Sequence, residues 1–349
     1  MRTSGFFCLI LLAAASSGTV AQSVTATKSG LAEPKRSQDW FRRASDRMTL
    51  RSPGSHPFHL RVRFHAYAGE ELLAPGEKTQ FIAGDGTYDE TWLEPHHWRR
   101  EVTLADYHAV EAESNGTRKM NSSSDYEPSR VLMLVDYLFT PIGEDLTNGS
   151  LRAMNWKIDH VSSGALGLVR LSTVMTANQR AKYSDSYYFF PNGDLAMKNV
   201  GGVVAAWSDA FAYEGRAVPK RLTIKCGERE LLTADISVES VDHMELASFD
   251  LAGGAADPGM TLRKLQGSEV KIPDLLPLMG AIAALRSPAT AFFATGIVDR
   301  SGAFREVEVL LAPDLTNAVA IIHALRATRG KPATVSHTPC EYVMHWQFL

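Results

Sequence analysis

Eleven histidines, a short acidic run and two late cysteines are the residues of this chain best suited to chemistry. His59 and His65 share one phase of an alternating stretch, but six residues of extended chain hold them about 20 Å apart, too far to share an ion. His96 and His97 are adjacent and point to opposite sides of an extended backbone. These histidines read as solvent-facing groups on an amphipathic sheet, and no metal is expected. Asp85, Asp89, Glu90 and Glu94 cross a hairpin. Paired carboxylates can move protons or bind calcium, although a solvated turn and strand face explains this run more simply. The run Tyr187-Tyr188-Phe189-Phe190 could line a ligand cavity, and core packing explains it too.

Catalytic signatures are missing from the sequence. Gly84-Asp85-Gly86 lacks the third glycine of a dinucleotide fingerprint, and there is no GxxxxGK[ST], GxSxG, HExxH or CxxC. A non-enzyme is expected, with no catalytic, cofactor-binding or metal-binding residue and no cofactor. A hydrolase built on the carboxylates between Asp85 and Glu94 is the remaining enzymatic reading.

The amino terminus has the form of an export signal. Arg2 is the only charge before Gln22, Phe6 to Ala15 is apolar apart from Cys8, and Thr19 and Ala21 supply the small residues of a cleavage site between Ala21 and Gln22. The apolar stretch is far shorter than the ~20 residues of a membrane-spanning helix. A cleaved chain, soluble in the periplasm, is therefore expected. The formal net charge is −3, and loss of Arg2 makes it one unit more acidic, which gives nucleic acid no electrostatic hold. Cys226 and Cys340 survive cleavage. In an oxidising compartment they can form one disulfide, the alternative being two unrelated buried thiols. Titration of the unreduced protein decides between them, since two reactive thiols would end the bridge.

These residues must be positioned by a mostly antiparallel β framework. Residues 22–37 lack periodicity and form an expected unstructured lead. Trp40, Phe41, Ala44 and Met48 have helical spacing. From Phe58 the period becomes two: Phe58, Leu60, Val62, Phe64 and Ala66 share one face, with His59, Arg61, Arg63 and His65 on the other. Strands follow to Ser122, and Asn115-Gly116 marks a tight hairpin because both residues tolerate positive φ. Glu127 to Phe139 interrupts them as a helix, and strands resume from Asn155 to Val241. Gly253, Gly254, Pro258, Gly259 and Gly267 mark a linker over 253–284 that includes a short helix. The segment 285–349 reads strand, turn, strand, helix, strand. Leu315, Ala318, Val319, Ile322 and Leu325 form its helical stripe, and Tyr342, Met344, Trp346 and Phe348 alternate along its last strand. The fold class is α+β, mostly antiparallel β.

Two resemblances follow. GTYDETWLEPHHWRREV, NGDLAMKNV and VPKRLTIKCGERELLTADISVESV, within Trp40 to Leu251, resemble strands of the bacterial outer-membrane lipoprotein carriers and receptors. This implies a half-barrel-like domain over 38–252 with packed helices and a concave apolar face for acyl chains. Gly296-Ile-Val, the turn Asp299 to Gly302, Phe304 to Leu311, the helix Leu315 to Arg329, Arg329-Gly-Lys-Pro-Ala333 and Tyr342 to Phe348 are similar to the TonB C-terminal domain. That resemblance implies a β-β-α-β module over 285–349 that pairs a partner with its sheet edge. The membrane helix and Pro-rich spacer of true transducers are replaced by a cleavable signal and a folded domain. The sequence-based expectation is a periplasmic adaptor engaging an envelope protein through Tyr342, Met344, Trp346 and Phe348. The alternative is a carrier of lipid or lipoprotein using the half-barrel.

Overall fold

The computed structural model describes residues 30–31, 34–52, 54–71, 73, 78–147, 156–163, 166–173, 185–241, 249–251, 253–256, 292–311, 315–327, 329–330, 332–335 and 338–348. The expected cleavage site at Ala21 and Gln22 and nearly all of the linker lie outside the described residues. In chain order the elements begin with β1 (Gly30–Leu31), α1 (Pro34–Met48), β2 (Phe58–Ala66), β3 (Gly84–Glu94), β4 (His97–Leu104), β5 (Tyr107–Ser114), β6 (Thr117–Ser122), α2 (Ser129–Phe139) and α3 (Glu144–Thr147). There follow β7 (Trp156–Ser163), β8 (Leu166–Thr173), β9 (Ser186–Phe189), β10 (Leu195–Val200), β11 (Val203–Ser208), β12 (Phe211–Tyr213), β13 (Arg216–Val218), β14 (Arg221–Cys226), β15 (Arg229–Ser240) and β16 (Ala255–Ala256). The last are β17 (Phe292–Val298), β18 (Phe304–Leu311), α4 (Leu315–Ala327), β19 (Ala333–Val335), β20 (Thr338–Cys340) and β21 (Tyr342–Phe348). The protein is α+β and mostly antiparallel β.

The chain divides into two compact units, Met1–Leu50 with Asp136–Ile236 and Arg51–Val135 with Ser237–Leu349. In the first unit, neighbouring strands run β1-β7-β8-β9-β10-β11-β14-β15. Helix α1 starts at Pro34, so residues 34–37 of the expected unstructured lead are helical. Proline suits that first turn, where the backbone N–H needs no partner. Phe41, Ala44 and Met48 form the buried stripe of α1. Phe41 meets Trp156 and Tyr187 edge-on at 5.0 Å and Phe189 at 5.9 Å. Tyr187 and Phe189 are thus core residues under α1. Lys198 is also buried, its amine donating to the Pro141 carbonyl (3.0 Å) and lying 4.1 Å from the Tyr137 ring centre.

In the second unit, β2 to β6 form a meander that ends on β16. Alternation sets its two faces, and Asn115 (φ 53°) and Gly116 (φ 77°) close the β5–β6 hairpin as their residue types require. The same unit contains the terminal segment, in which β17 lies between β18 and β21. Ala318, Ile322 and Leu325 of α4 are fully buried. The β17–β18 turn is tied by Asp299, which accepts from the backbone N–H of Ser301 (2.8 Å) and of Ala303 (2.9 Å) and from Arg305 Nε (2.9 Å). Those donors, with the Ser301 hydroxyl, hold its carboxyl below the usual range although burial alone would raise it. Gly302 has φ 81°, and a Cβ there would lie 1.9 Å from the carbonyl oxygen of Gly330. Gly302→Ala is expected to destabilise the terminal segment by about 2–4 kcal/mol, combining left-handed strain with a backbone clash. The drop in denaturation midpoint checks this; an unchanged midpoint would mean the turn relaxes freely.

Candidate functional site

One face of the β2–β6 meander is largely buried. Its cross-strand rows follow from the register. Phe58, Trp92 and Trp98 lie opposite one another in one row, and Val62, Tyr88, Val102 and Ala109 in another. Phe58 and Trp92 stack with ring centres 5.4 Å apart. Between these apolar rows runs a third: Leu60, Glu90, Arg100, Glu111 and Met120. Its three charged members alternate in sign, and their exposures are 0%, 7% and 1%.

Each charge in that row is matched. Arg51 Nε donates to Glu90 (2.6 Å), and Arg51 also donates to the Tyr88 hydroxyl (2.9 Å). The Tyr88 hydroxyl donates to Glu90. Burial, followed by the Glu90 charge, pushes the Tyr88 phenol well above its ordinary range, which keeps its proton available for that bond. Arg100 donates to Glu111 and to Glu127 (3.2 Å), and Arg118 also reaches Glu111. Burial opposes the Arg100 charge, yet Glu111 and Glu127 together hold its pKa well above the usual value. Trp98 lies beneath two of these cations, with Arg118 5.2 Å and Arg51 5.8 Å from its ring centre.

The network continues into the terminal segment. While the Glu127 side chain meets Arg100, its backbone N–H donates to the Glu341 carboxylate (3.1 Å). The N–H of Ser129 donates to Glu306 (2.7 Å), as does that of Ile82 (3.3 Å). Arg130, fully buried, makes a two-pronged bond to Glu308 at 2.6 and 3.0 Å and donates to the Tyr67 carbonyl at 3.0 Å. Glu306, Glu308 and Glu341 are each 0% exposed. Three carboxylates thus converge on the amino-terminal turn of α2 and on Arg130, where unpaired N–H groups and the helix dipole favour negative charge. Glu306 reaches this position through a bulge. Thr295 pairs with Glu308 and Ile297 with Arg305, so Glu306 and Val307 together oppose Gly296. Glu306 takes φ 46°, a conformation side chains rarely adopt, and bulges of this kind re-aim a side chain. Burial drives its carboxyl up to about 7, more than the amides of Ser129 and Ile82 pull it down.

No known protein family and no curated protein sequence matches this chain. Among solved structures, it is similar to a LolA superfamily protein from Nitrosomonas europaea, at 11% identity and a TM-score of 0.33, over 62% of this chain and 97% of that one. It is also similar to a DUF1329 family protein from Desulfovibrio piger, at 10% identity and a TM-score of 0.36, over the same shares of each chain.

The residues singled out from the sequence are distributed differently from the buried network. On the opposite face of the meander, His59 pairs with Asp89 (2.6 Å), His65 with Asp85 (2.7 Å) and His108 with Glu101 (3.0 Å). At the β3–β4 turn, His96 pairs with Glu113 (2.7 Å) and His97 with Glu94. Among the described residues, no group of three histidine, cysteine or acidic side chains could hold a metal. The acidic run is split by alternation. Asp85 and Asp89 face the histidines, whereas Glu90, read with them as solvated, is fully buried in the charged row. Cys226 ends β14 in the first unit and Cys340 ends β20 in the second, so their pairing stays a proposal for the thiol titration. Tyr342, Met344, Trp346 and Phe348 share one phase of β21, the strand at one end of the terminal sheet. The sequence did contain a signal for the missed residues. Arg100 sits in phase with Trp98, Val102 and Leu104, and Glu90 with Tyr88 and Trp92. A charge in the apolar phase of a strand announces a buried partner.

Proposed function

We propose that this protein is an exported, non-enzymatic carrier of acyl lipid or lipoprotein in the periplasm. The reading rests on the buried face of the meander. Phe58, Leu60, Val62, Phe64, Trp92, Trp98, Val102 and Leu104 make one apolar surface, with its charges gathered into a single row that Arg51, Arg118 and Glu127 help to neutralise. Covering such a side chain is worth about 1.5–3 kcal/mol, so an acyl chain could exchange for the protein groups that cover this face. Buried charges already satisfied by one another are poorly placed to attack a substrate. The sequence resemblance of Trp40 to Leu251 to outer-membrane lipoprotein carriers, with its half-barrel, supports the same reading. Among the described residues no helix is long and apolar enough to cross a membrane.

Native mass spectrometry of gently purified protein tests this proposal. The expected result is a population carrying lipid mass, exchangeable for a fluorescent fatty acid. Protein that is lipid-free and takes up no fatty acid would remove the carrier reading.

The adaptor reading comes second. Its support is β21, which pairs with β17 on one side and, among the described residues, with no strand on the other. Capture of the same envelope proteins by the native chain and by a Tyr342→Ala/Trp346→Ala variant would count against that edge.

A further inference from the structure

Basic charge is concentrated on one helix of the first unit. Helix α1 contains five basic residues, Lys35, Arg36, Arg42, Arg43 and Arg47, against two acidic ones, Asp39 and Asp46. That is a surplus of three positive charges in a chain whose formal net charge is −3. Phe41, Ala44 and Met48 bury one side of α1, and Arg36, Asp39, Arg42, Arg43 and Asp46 are exposed on the other. Arg36, Trp40, Arg43 and Arg47, spaced four, three and four residues apart, form one line along the helix. Trp40 is half-buried in that line. Its ring centre is 5.5 Å from that of Phe189, and the Arg43 guanidinium lies 5.6 Å from it. The Arg43 stem passes over Gly193, where a Cβ would lie 2.4 Å from Arg43 Cδ. Asp194 pairs with Arg47, and Arg216 of β13 donates to the Asp46 carbonyl. These two contribute one charge of each sign and leave the surplus unchanged. Among the described residues, Leu73 is the only large apolar side chain that is exposed, and it belongs to the second unit. Adhesion at α1 must therefore be driven by charge.

We infer that the outer side of α1 is a docking face for a membrane surface carrying anionic lipid headgroups. Arginine and tryptophan suit a lipid–water boundary, because each joins an apolar body to a polar tip, and here a guanidinium lies over the indole. The choice of partner rests on the carrier reading, since a protein that moves acyl cargo must meet the membranes it loads from and delivers to. The basic line itself does not depend on that reading.

Flotation of the full mature chain with lipid vesicles tests the face. One set of vesicles is pure phosphatidylcholine, and the other includes about a third phosphatidylglycerol. A basic side chain near an anionic surface is worth about fivefold in partition, so a surplus of three predicts roughly a hundredfold preference for the anionic vesicles at low salt. At about 0.5 M salt, where screening acts within about 4 Å, most of that preference should vanish. Arg36→Glu/Arg43→Glu turns the surplus of three into a deficit of one and is expected to abolish the preference. Arg36→Glu/Arg42→Glu makes the same change while leaving Arg43 on Trp40, and it serves if the first variant has a lowered denaturation midpoint. Equal partition of the native protein onto both kinds of vesicle would overturn the inference. So would a folded double variant that keeps the native preference. Lipid-free protein that takes up no fatty acid yet still selects anionic vesicles through α1 would remove the carrier reading and leave the docking face standing.

Discussion

Replacing Arg130 with alanine is expected to destabilise the second unit by about 3–5 kcal/mol, because a buried carboxylate loses its countercharge. Arg130 and Glu308 are both 0% exposed and joined by two hydrogen bonds. Removing the guanidinium leaves the Glu308 carboxylate desolvated and without its cation. It also removes the donor to the Tyr67 carbonyl and the cation 5.0 Å from the Phe81 ring centre. The size of the loss reflects the abandoned partner more than the worth of the pair. Arg130→Met with Glu308→Leu should therefore recover most of it, because a packed apolar pair carries no desolvation cost. Chemical denaturation of the two single variants and the double variant measures the coupling. A double variant as unstable as the sum of the singles would show that the two charges act independently.

The framework around this pair was legible because it obeys simple periods. FHLRVRFHA alternates, Asn115-Gly116 has the chemistry of a tight turn, and the helix from Leu315 carries its stripe at Ala318, Ile322 and Leu325. The charged row was not legible by the same rule, because Glu90, Arg100 and Glu111 occupy inward positions that the rule assigns to apolar residues. Their partners are distant in sequence: Arg51 for Glu90, and Glu127 for Arg100. The terminal strand FREVEVLL hid its role in another way. Alternation places Glu306 and Glu308 on a solvated face, whereas the bulge opposite Gly296 and the pairing with Arg130 bury both. A one-residue irregularity, which period counting cannot see, converts a surface strand into one whose carboxylates face inward.

That change bears on function. As a free recognition module, the terminal segment would keep its charges in water and offer an edge to a partner. Here its carboxylates are committed to the amino-terminal turn of α2, in the unit that also holds the meander. The segment is therefore fixed within the second unit through these carboxylates, and the edge of β21 that pairs with no described strand is the part left to meet a partner.

Acidity should tighten this attachment rather than loosen it. The carboxyl of Glu306 lies at about 7 in the folded protein, driven up by burial, against 4.5 for the exposed group. A group with a raised folded pKa binds its proton more tightly in the folded state, so folding is favoured at low pH and loses ground as pH rises from about 4.5 to 7. The difference corresponds to about 3 kcal/mol across that window. Asp299 works in the opposite sense, but its depressed pKa confines its contribution to a lower range, where stability falls as acid protonates it. Asp185 in the first unit, raised by burial, shares the sign of Glu306, so the total slope cannot be assigned to one residue. The difference between the native protein and Glu306→Gln isolates it. Stability measured from pH 4.5 to 8 should fall more steeply in the native protein, and the excess slope should end near pH 7. Parallel profiles would mean that Glu306 keeps its charge throughout, held by the amides of Ser129 and Ile82 and by Arg130. The attachment at Glu306 would then be permanently anionic and answer to salt instead of pH.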